Sequence, residues 1–374
     1  MLPQINNWHF PRPLLAQTYL KLFEMGLTSA RGLFARRRMG KTEFLKKDFI
    51  PAAEAQHYVV AYVNLWDLET DPATALISTL QLSIEQATKR KGIGQVLTHL
   101  NPVVKKVKLS GKIAGLAEAG IEADLKDGQP ITGTKLMEVM KIFDRTKIQL
   151  ILVIDEAQVL AYQQNAHFAH ALRAALDIRK DRIKVIFAGS SETTLRRMFG
   201  VASEPFYNWA PLEPFELLGE EFVRAMVGRV NTISTFPLSL TEAMIAFTAL
   251  KNTPEFFRRY IEHYLSNPEQ GSSAALSLTK DKVFNDDSFK RQWDSLLAAD
   301  QVILLMIANG VSDLHGKAAM RQLGAELGLE GSVNKNTAQN ALRRLMDKNI
   351  VTKIEHGVYQ LEDEAFADWI KHSD

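Results

Sequence analysis

The stretch from Arg31 to Lys47 constrains the fold more than any other part of this chain. A short apolar run gives way to the octet Ala35-Arg36-Arg37-Arg38-Met39-Gly40-Lys41-Thr42, and a helix-compatible segment follows from Thr42 to Lys47. Strand, glycine-containing turn and helix in that order point backbone N–H groups at an anion on the helix N-terminus. A phosphate-binding loop also needs a Lys that reaches β and γ phosphates and a hydroxyl for Mg²⁺ as the helix begins. Gly40, Lys41 and Thr42 fill these last three roles. Ala35 stands where the motif asks for its first glycine, which keeps the side chain minimal but surrenders the freedom to adopt positive φ. The triplet Gly-Lys-Thr is weak alone, and its setting between strand and helix is what gives it weight.

A second motif supports it. Leu150-Ile151-Leu152-Val153-Ile154 is an unbroken apolar run that ends in Asp155-Glu156. An Asp at the carboxyl end of a buried strand can hold the Mg²⁺ that the loop Thr also touches, and the adjacent Glu can orient and activate a water for attack on a γ phosphate. Two such motifs in this order are a far stronger signal than either one.

Around them, short buried strands alternate with helical patterns. Tyr58 to Trp66, Gln149 to Ile154 and Ile183 to Ala188 read as strands, while Pro72 to Gln86, Leu136 to Phe143 and His167 to Ile178 read as helices. Alternation of this kind predicts a parallel α/β sheet built from βαβ units. Beyond Pro211 the strands are expected to stop, and Glu220 to Val230, Thr241 to Leu250 and Glu255 to Leu265 carry helical periodicity. The expected organisation is a P-loop ATPase domain over 1–210, a helical lid over 211–266, a linker and connecting helix over 267–299, and a winged helix over 300–374. With 374 residues, the chain has room for these parts.

Composition bounds the rest. Net charge is only +2, so attraction to nucleic acid must come from a local basic surface. The absence of cysteine removes disulfides, thiolate metal sites and cysteine nucleophiles, and suits a reducing compartment. No stretch approaches the ~20 apolar residues of a membrane span, and the N-terminus lacks a signal pattern, so the expectation is a cytoplasmic protein without a membrane anchor. His167 and His170 share a helix face but have no third partner of diagnostic spacing, and Gly111, Gly115 and Gly120 follow no buried strand, so neither group is taken as a site.

Residues 30 to 265 resemble the archaeal-type ATPases on the AAA+ and signal-transduction-NTPase side of the P-loop superfamily. The resemblance rests on the Arg-rich loop ending Gly-Lys-Thr and the hydrophobic strand ending Asp-Glu. It implies ATP and Mg²⁺ as cofactors, with Ala35 to Thr42 around the phosphates, Thr42 and Asp155 at the metal, and Lys41 and Glu156 as catalytic residues. It also implies that the strand ending at Ala188 lies between the two motif strands, which brings Ser190 and Ser191 beside the γ phosphate, one of them as a polar sensor. Arg196 and Arg197 are the candidates for an arginine finger, although a solvated helix face accounts for them equally well. The segment Thr253 to Arg259 is where the family's second sensor belongs, without an Arg at the helix start.

Many members of that group end in a winged helix, and residues 300 to 374 read as one. Asp300 to Ala308, Lys317 to Leu327 and Asn334 to Lys348 form three amphipathic helices, and Ile350 to Ile354 with Val358 to Leu361 make a hairpin. Lys335, Asn336, Gln339, Asn340 and Arg343 lie on polar faces of the third helix, where such modules contact bases and phosphates. This segment carries eight Lys and Arg against eleven Asp and Glu, with acids clustered at Glu362, Asp363 and Glu364. Duplex DNA is the favoured partner and a protein the rival. Two functions follow: an ATPase that controls assembly or action on DNA, as a homo-oligomer or with a protein partner, or a nucleotide-dependent signalling switch whose winged helix docks protein. A basic two-stranded ribbon is expected within Val104 to Leu125, with Lys106, Lys108 and Lys112 on one face.

Overall fold

A computed structural model of the chain describes residues 8–67, 71–90, 131–284, 287–311, 313–329, 333–348, 350–355 and 357–372. The ribbon expected within Val104 to Leu125 lies outside these.

Five parallel strands form the central sheet: β1 (Ala30–Phe34), β2 (Val59–Asn64), β3 (Leu150–Asp155), β4 (Ile183–Gly189) and β5 (Leu212–Pro214), in the order β2-β3-β4-β1-β5. Both sheet faces are covered, which is why the central strands read as continuous apolar runs. Period-two alternation sorts their side chains. Leu150, Leu152 and Ile154 join one core with α4 (Pro72–Arg90), α5 (Ile131–Asp144) and α6 (Ala166–Asp177). Ile151 and Val153 join the other, with α1 (Pro13–Glu24), α2 (Lys41–Phe44), a π-helical turn (Leu45–Phe49) and α3 (Ile50–Ala55). As expected, β4 separates the two motif strands, pairing with β3 on one side and β1 on the other.

The strands do not stop at Pro211. β5 pairs with β1 through Gly32↔Leu212 and Phe34↔Pro214, and its Glu213 is ion-paired with Arg31. Three residues ending in Pro give almost no strand signature, and a Pro is tolerated there because the strand lies at the sheet edge.

After β5 the chain is helical through α8 (Glu220–Ile233), α9 (Leu240–Ala249) and α10 (Pro254–Ser266). The expected linker is itself folded: α11 (Gly271–Phe284) buries Ala275, Thr279 and Val283, and α12 (Asp287–Asp294) buries Phe289. Gly271, at φ 79°, turns the chain between α10 and α11, so glycine there starts a helix rather than a loop. The winged helix comprises α13 (Ala298–Ala308), α14 (Lys317–Glu326), α15 (Lys335–Asp347), the hairpin β6 (Val351–Glu355) and β7 (Val358–Leu361), and a closing helix α16 (Glu364–His372). A single apolar core runs from Phe222 in the lid to Ile370 in α16. Lid and winged helix share this packing, and Phe289 of α12 meets Phe366 and Trp369 of α16 with ring centres 5.4 and 6.4 Å apart.

Candidate nucleotide site

The turn after β1 is shaped by two residues of positive φ, Arg38 at 66° and Gly40 at 86°. Gly40 supplies the left-handed step that starts α2, where a side chain would be strained. Ala35 is not among the positive-φ residues, so the missing first glycine costs the loop nothing here. Lys41 is buried, and its Nζ donates to the Ala35 carbonyl at 2.5 Å across the loop. Burial pushes the Lys41 ammonium below its ordinary pKa, while Glu156, Asp155 and Glu362 act in the opposite direction.

Register between strands brings the second motif to this loop. Asp155, 1% exposed, ends β3 with its Oδ2 accepting from Thr42 Oγ1 at 2.7 Å. The same oxygen accepts from the Tyr62 hydroxyl at 2.9 Å, and Oδ1 accepts from the Glu156 backbone N–H at 3.1 Å. Tyr62, on β2 opposite Val153, is a site residue that sequence reasoning missed. Burial first, and the Asp155 charge second, push its phenol well above the ordinary value, which keeps it a donor.

Glu156 lies just past β3 in the left-handed region, at φ 54°. Its Oε2 accepts from Gln158 Nε2 at 2.6 Å and from Ser190 Oγ at 3.1 Å. Gln158 is fully buried, and a Cβ on Gly189 would collide with its Oε1, so with any other residue at the end of β4 the Gln158 amide would have to shift. Of the paired serines, Ser190 faces Glu156. Ser191 instead caps α7 (Glu192–Gly200), accepting from Thr194 N at 3.4 Å.

An N-terminal strap ties the site to the lid. His9 Nε2 sits 2.9 Å from Asp48 Oδ1 and His9 Nδ1 3.2 Å from Glu43 Oε1, while Arg229 donates to the His9 carbonyl at 2.8 Å. Arg258 in α10 donates to the Trp8 carbonyl and forms a two-pronged pair with Glu43 at 2.8 and 3.0 Å. Burial alone would raise the Glu43 carboxyl, but hydrogen bonds from Arg258 and Lys47 bring it down to about 2.

Similar folds are known. Over 97% of its length the chain matches 96% of a Walker-type ATPase of Pyrococcus abyssi, with a TM-score of 0.61 at 16% identity. Over 99% it matches 96% of the Aeropyrum pernix ORC2 protein solved with ADPNP and ADP, with a TM-score of 0.57 at 13% identity. The chain has the archaeal Walker-type ATPase fold. No protein-family model matches the sequence, and neither does any curated protein.

Within this Walker-type fold two of the loop arginines are engaged by neighbouring side chains of the same chain. Arg37 stacks on Trp66 with its guanidinium 4.6 Å from the ring centre, and Arg38 lies 5.1 Å from the Phe256 ring and pairs with Asp363 at 2.7 Å. Arg196 pairs with Glu192 on the exposed face of α7, and Arg197 reaches the Ala161 carbonyl and Glu204. Arg259 pairs with Glu255, and Arg258 pairs with Glu43 on the P-loop helix. On α15, Asn336, Gln339, Asn340 and Arg343 are exposed, and Lys335 lies at the helix start beside its cap Asn334. His167 and His170 are exposed, and no cluster of potential metal ligands occurs among the described residues. No helix among them is long and apolar enough to cross a membrane.

Proposed function

We propose that the chain binds and hydrolyses ATP with Mg²⁺, and that its nucleotide state controls assembly or action on duplex DNA. The observation that carries the reading is the 2.7 Å bond between Thr42 Oγ1 and Asp155 Oδ2, groups 113 residues apart in sequence. That bond unites the two motifs, with Lys41 on one side and Glu156 on the other. One carboxylate and one hydroxyl form a hard, all-oxygen donor set, which suits Mg²⁺ completed by phosphate oxygens rather than a metal that needs a protein cage. When bound, Mg²⁺ neutralises charge on the β and γ phosphates.

The chain's own groups do the rest. Loop N–H groups from Arg36 to Thr42 cradle phosphate, and Lys41 leaves the Ala35 carbonyl to meet it. Tyr62 keeps Asp155 oriented as Thr42 turns its hydroxyl away. Glu156 takes the proton of the attacking water, with Gln158 and Ser190 holding its carboxylate and Ser190 reporting the γ phosphate. ADPNP and ADP in the similar ORC2 structure support this nucleotide class.

The exposed Asn336, Gln339, Asn340 and Arg343 support duplex DNA as the partner of α15, with Lys335 as a phosphate contact. Exposed Arg196 supports a neighbouring subunit that completes its site with an arginine. The signalling-switch reading draws on a different observation, the packing of the winged helix into the lid core, which ties it to the lid. ATP turnover with and without duplex DNA, alongside sedimentation in each nucleotide state, separates the two. DNA-stimulated turnover is expected. Turnover indifferent to DNA, with ATP-dependent capture of a protein, favours the switch.

A further inference from the structure

The acids at the end of the wing lie against the phosphate loop. Asp363 pairs with Arg38 at 2.7 Å, with Arg38 30% and Asp363 19% exposed, and Glu362 is buried. β6 packs on α7, the helix that follows Ser190. Two spaces show how closed the arrangement is. Between Arg36, Arg37, Arg38, Glu362 and Asp363 about 20 Å³ remains, room for about one water molecule. A larger cleft of about 270 Å³ opens at the mouth of the loop between Ala35, Arg36 and Ser190, and its far wall is Gln360, Leu361 and Glu362. Both acids act electrostatically on the loop, Asp363 on Arg36 and Glu362 on Lys41.

Negative charge therefore already faces the groups that receive phosphate. A triphosphate entering the cleft meets repulsion from Glu362 and competes with Asp363 for Arg38, and like charges at close range disfavour one another. Resting on the nucleotide reading above, we propose that the Glu362–Asp363 corner belongs to the nucleotide site as an internal competitor for the phosphates, displaced from the loop when ATP binds. Displacement frees the wing, since β7 leads directly into the corner. By linkage, whatever holds the wing away from the loop tightens ATP binding by the factor with which ATP releases the wing.

The test measures binding of a fluorescent ATP analogue and of adenosine to the full chain, wild type and Glu362→Gln/Asp363→Asn. Both replacements keep volume, and Asn retains the side-chain acceptor at the start of α16. The expected result is ATP binding tightened about tenfold with adenosine binding unchanged, because only the phosphates meet the corner. A second arm uses the natural absence of cysteine and needs no change to the acids. Leu217→Cys with Gln360→Cys places one thiol on each side of the larger cleft, and bis-maleimide cross-linking is expected to fall when ATP, but not adenosine, is added. Unchanged or weaker ATP binding in the acid variant overturns the competitor, as does cross-linking indifferent to ATP. Failure of the wild type to bind the ATP analogue overturns the nucleotide reading itself, and the competitor with it.

Discussion

Asp155 is the residue on which the site turns, because three donors converge on its two oxygens and each comes from a different part of the chain. Tyr62→Phe removes one donor without opening a cavity. The expected outcome is a Mg²⁺ requirement for ATP binding raised about tenfold, in line with losses of outer-shell partners, with metal-free nucleotide binding unchanged, as read by titrating Mg²⁺ at fixed nucleotide. Glu43 gives a pH prediction. Its carboxyl falls from the ordinary 4.5 to about 2 because Arg258 and Lys47 outweigh the effect of burial. A depressed carboxyl contributes stability that is full above the ordinary value and lost as pH falls through the lowered one. Lid docking through Arg258 should therefore hold above about pH 4.5 and weaken toward pH 2, and Glu43→Gln should flatten that dependence, as followed by Trp8 fluorescence. At this scale the sequence was informative where chemistry is local. Lys41, Thr42 and Asp155 meet where the two motifs imply, because each sits at a fixed offset in a strand or a turn. Tyr62 and Gln158 are not legible in the sequence, since their importance arises from which strands become neighbours.

Elements were legible in proportion to the apolar surface they bury. β3 and β4, buried on both faces, carry unmistakable runs, whereas β5 is short and ends in Pro, and α16 begins in a cluster of acids that looks like a tail. The stretch read as a linker and connecting helix over 267–299 holds Pro, Gly and Ser, yet Ala275, Thr279 and Val283 recur in it at a four-residue spacing and are buried in α11. Two substitutions probe elements. Gly189→Ala forces a Cβ into Gln158, so stability should drop by about 1–3 kcal/mol, with a larger fractional loss of turnover than of ATP affinity. In the winged helix, Arg344 donates to Asp300, which is 1% exposed, through Nε at 3.1 Å and Nη2 at 2.5 Å. Arg344→Ala leaves that carboxylate buried without its cation and should cost about 2 kcal/mol by thermal unfolding, toward the lower end of such changes because the Arg head is partly solvated.

Across the whole molecule, the apolar core shared by lid and winged helix sets the mechanics. The C-terminal body meets the sheet domain through contacts that include the pair Arg258–Glu43 and the pair Arg38–Asp363, both beside the phosphate loop. Lid and winged helix should accordingly unfold together in calorimetry, with ATP shifting the transition of the sheet domain upward by mass action.

The most direct measurement of the central claim is phosphate release from MgATP by the purified chain, wild type against Glu156→Gln, with binding of the same nucleotide measured on each protein and on Lys41→Ala. The expected result is turnover in the wild type, a fall of about 10²–10⁴ in the Glu156→Gln protein at unchanged affinity, and loss of binding in the Lys41→Ala protein. Equal turnover by wild type and Glu156→Gln would contradict the assignment of Glu156 as the base, and full nucleotide affinity in the Lys41→Ala protein would contradict the site itself.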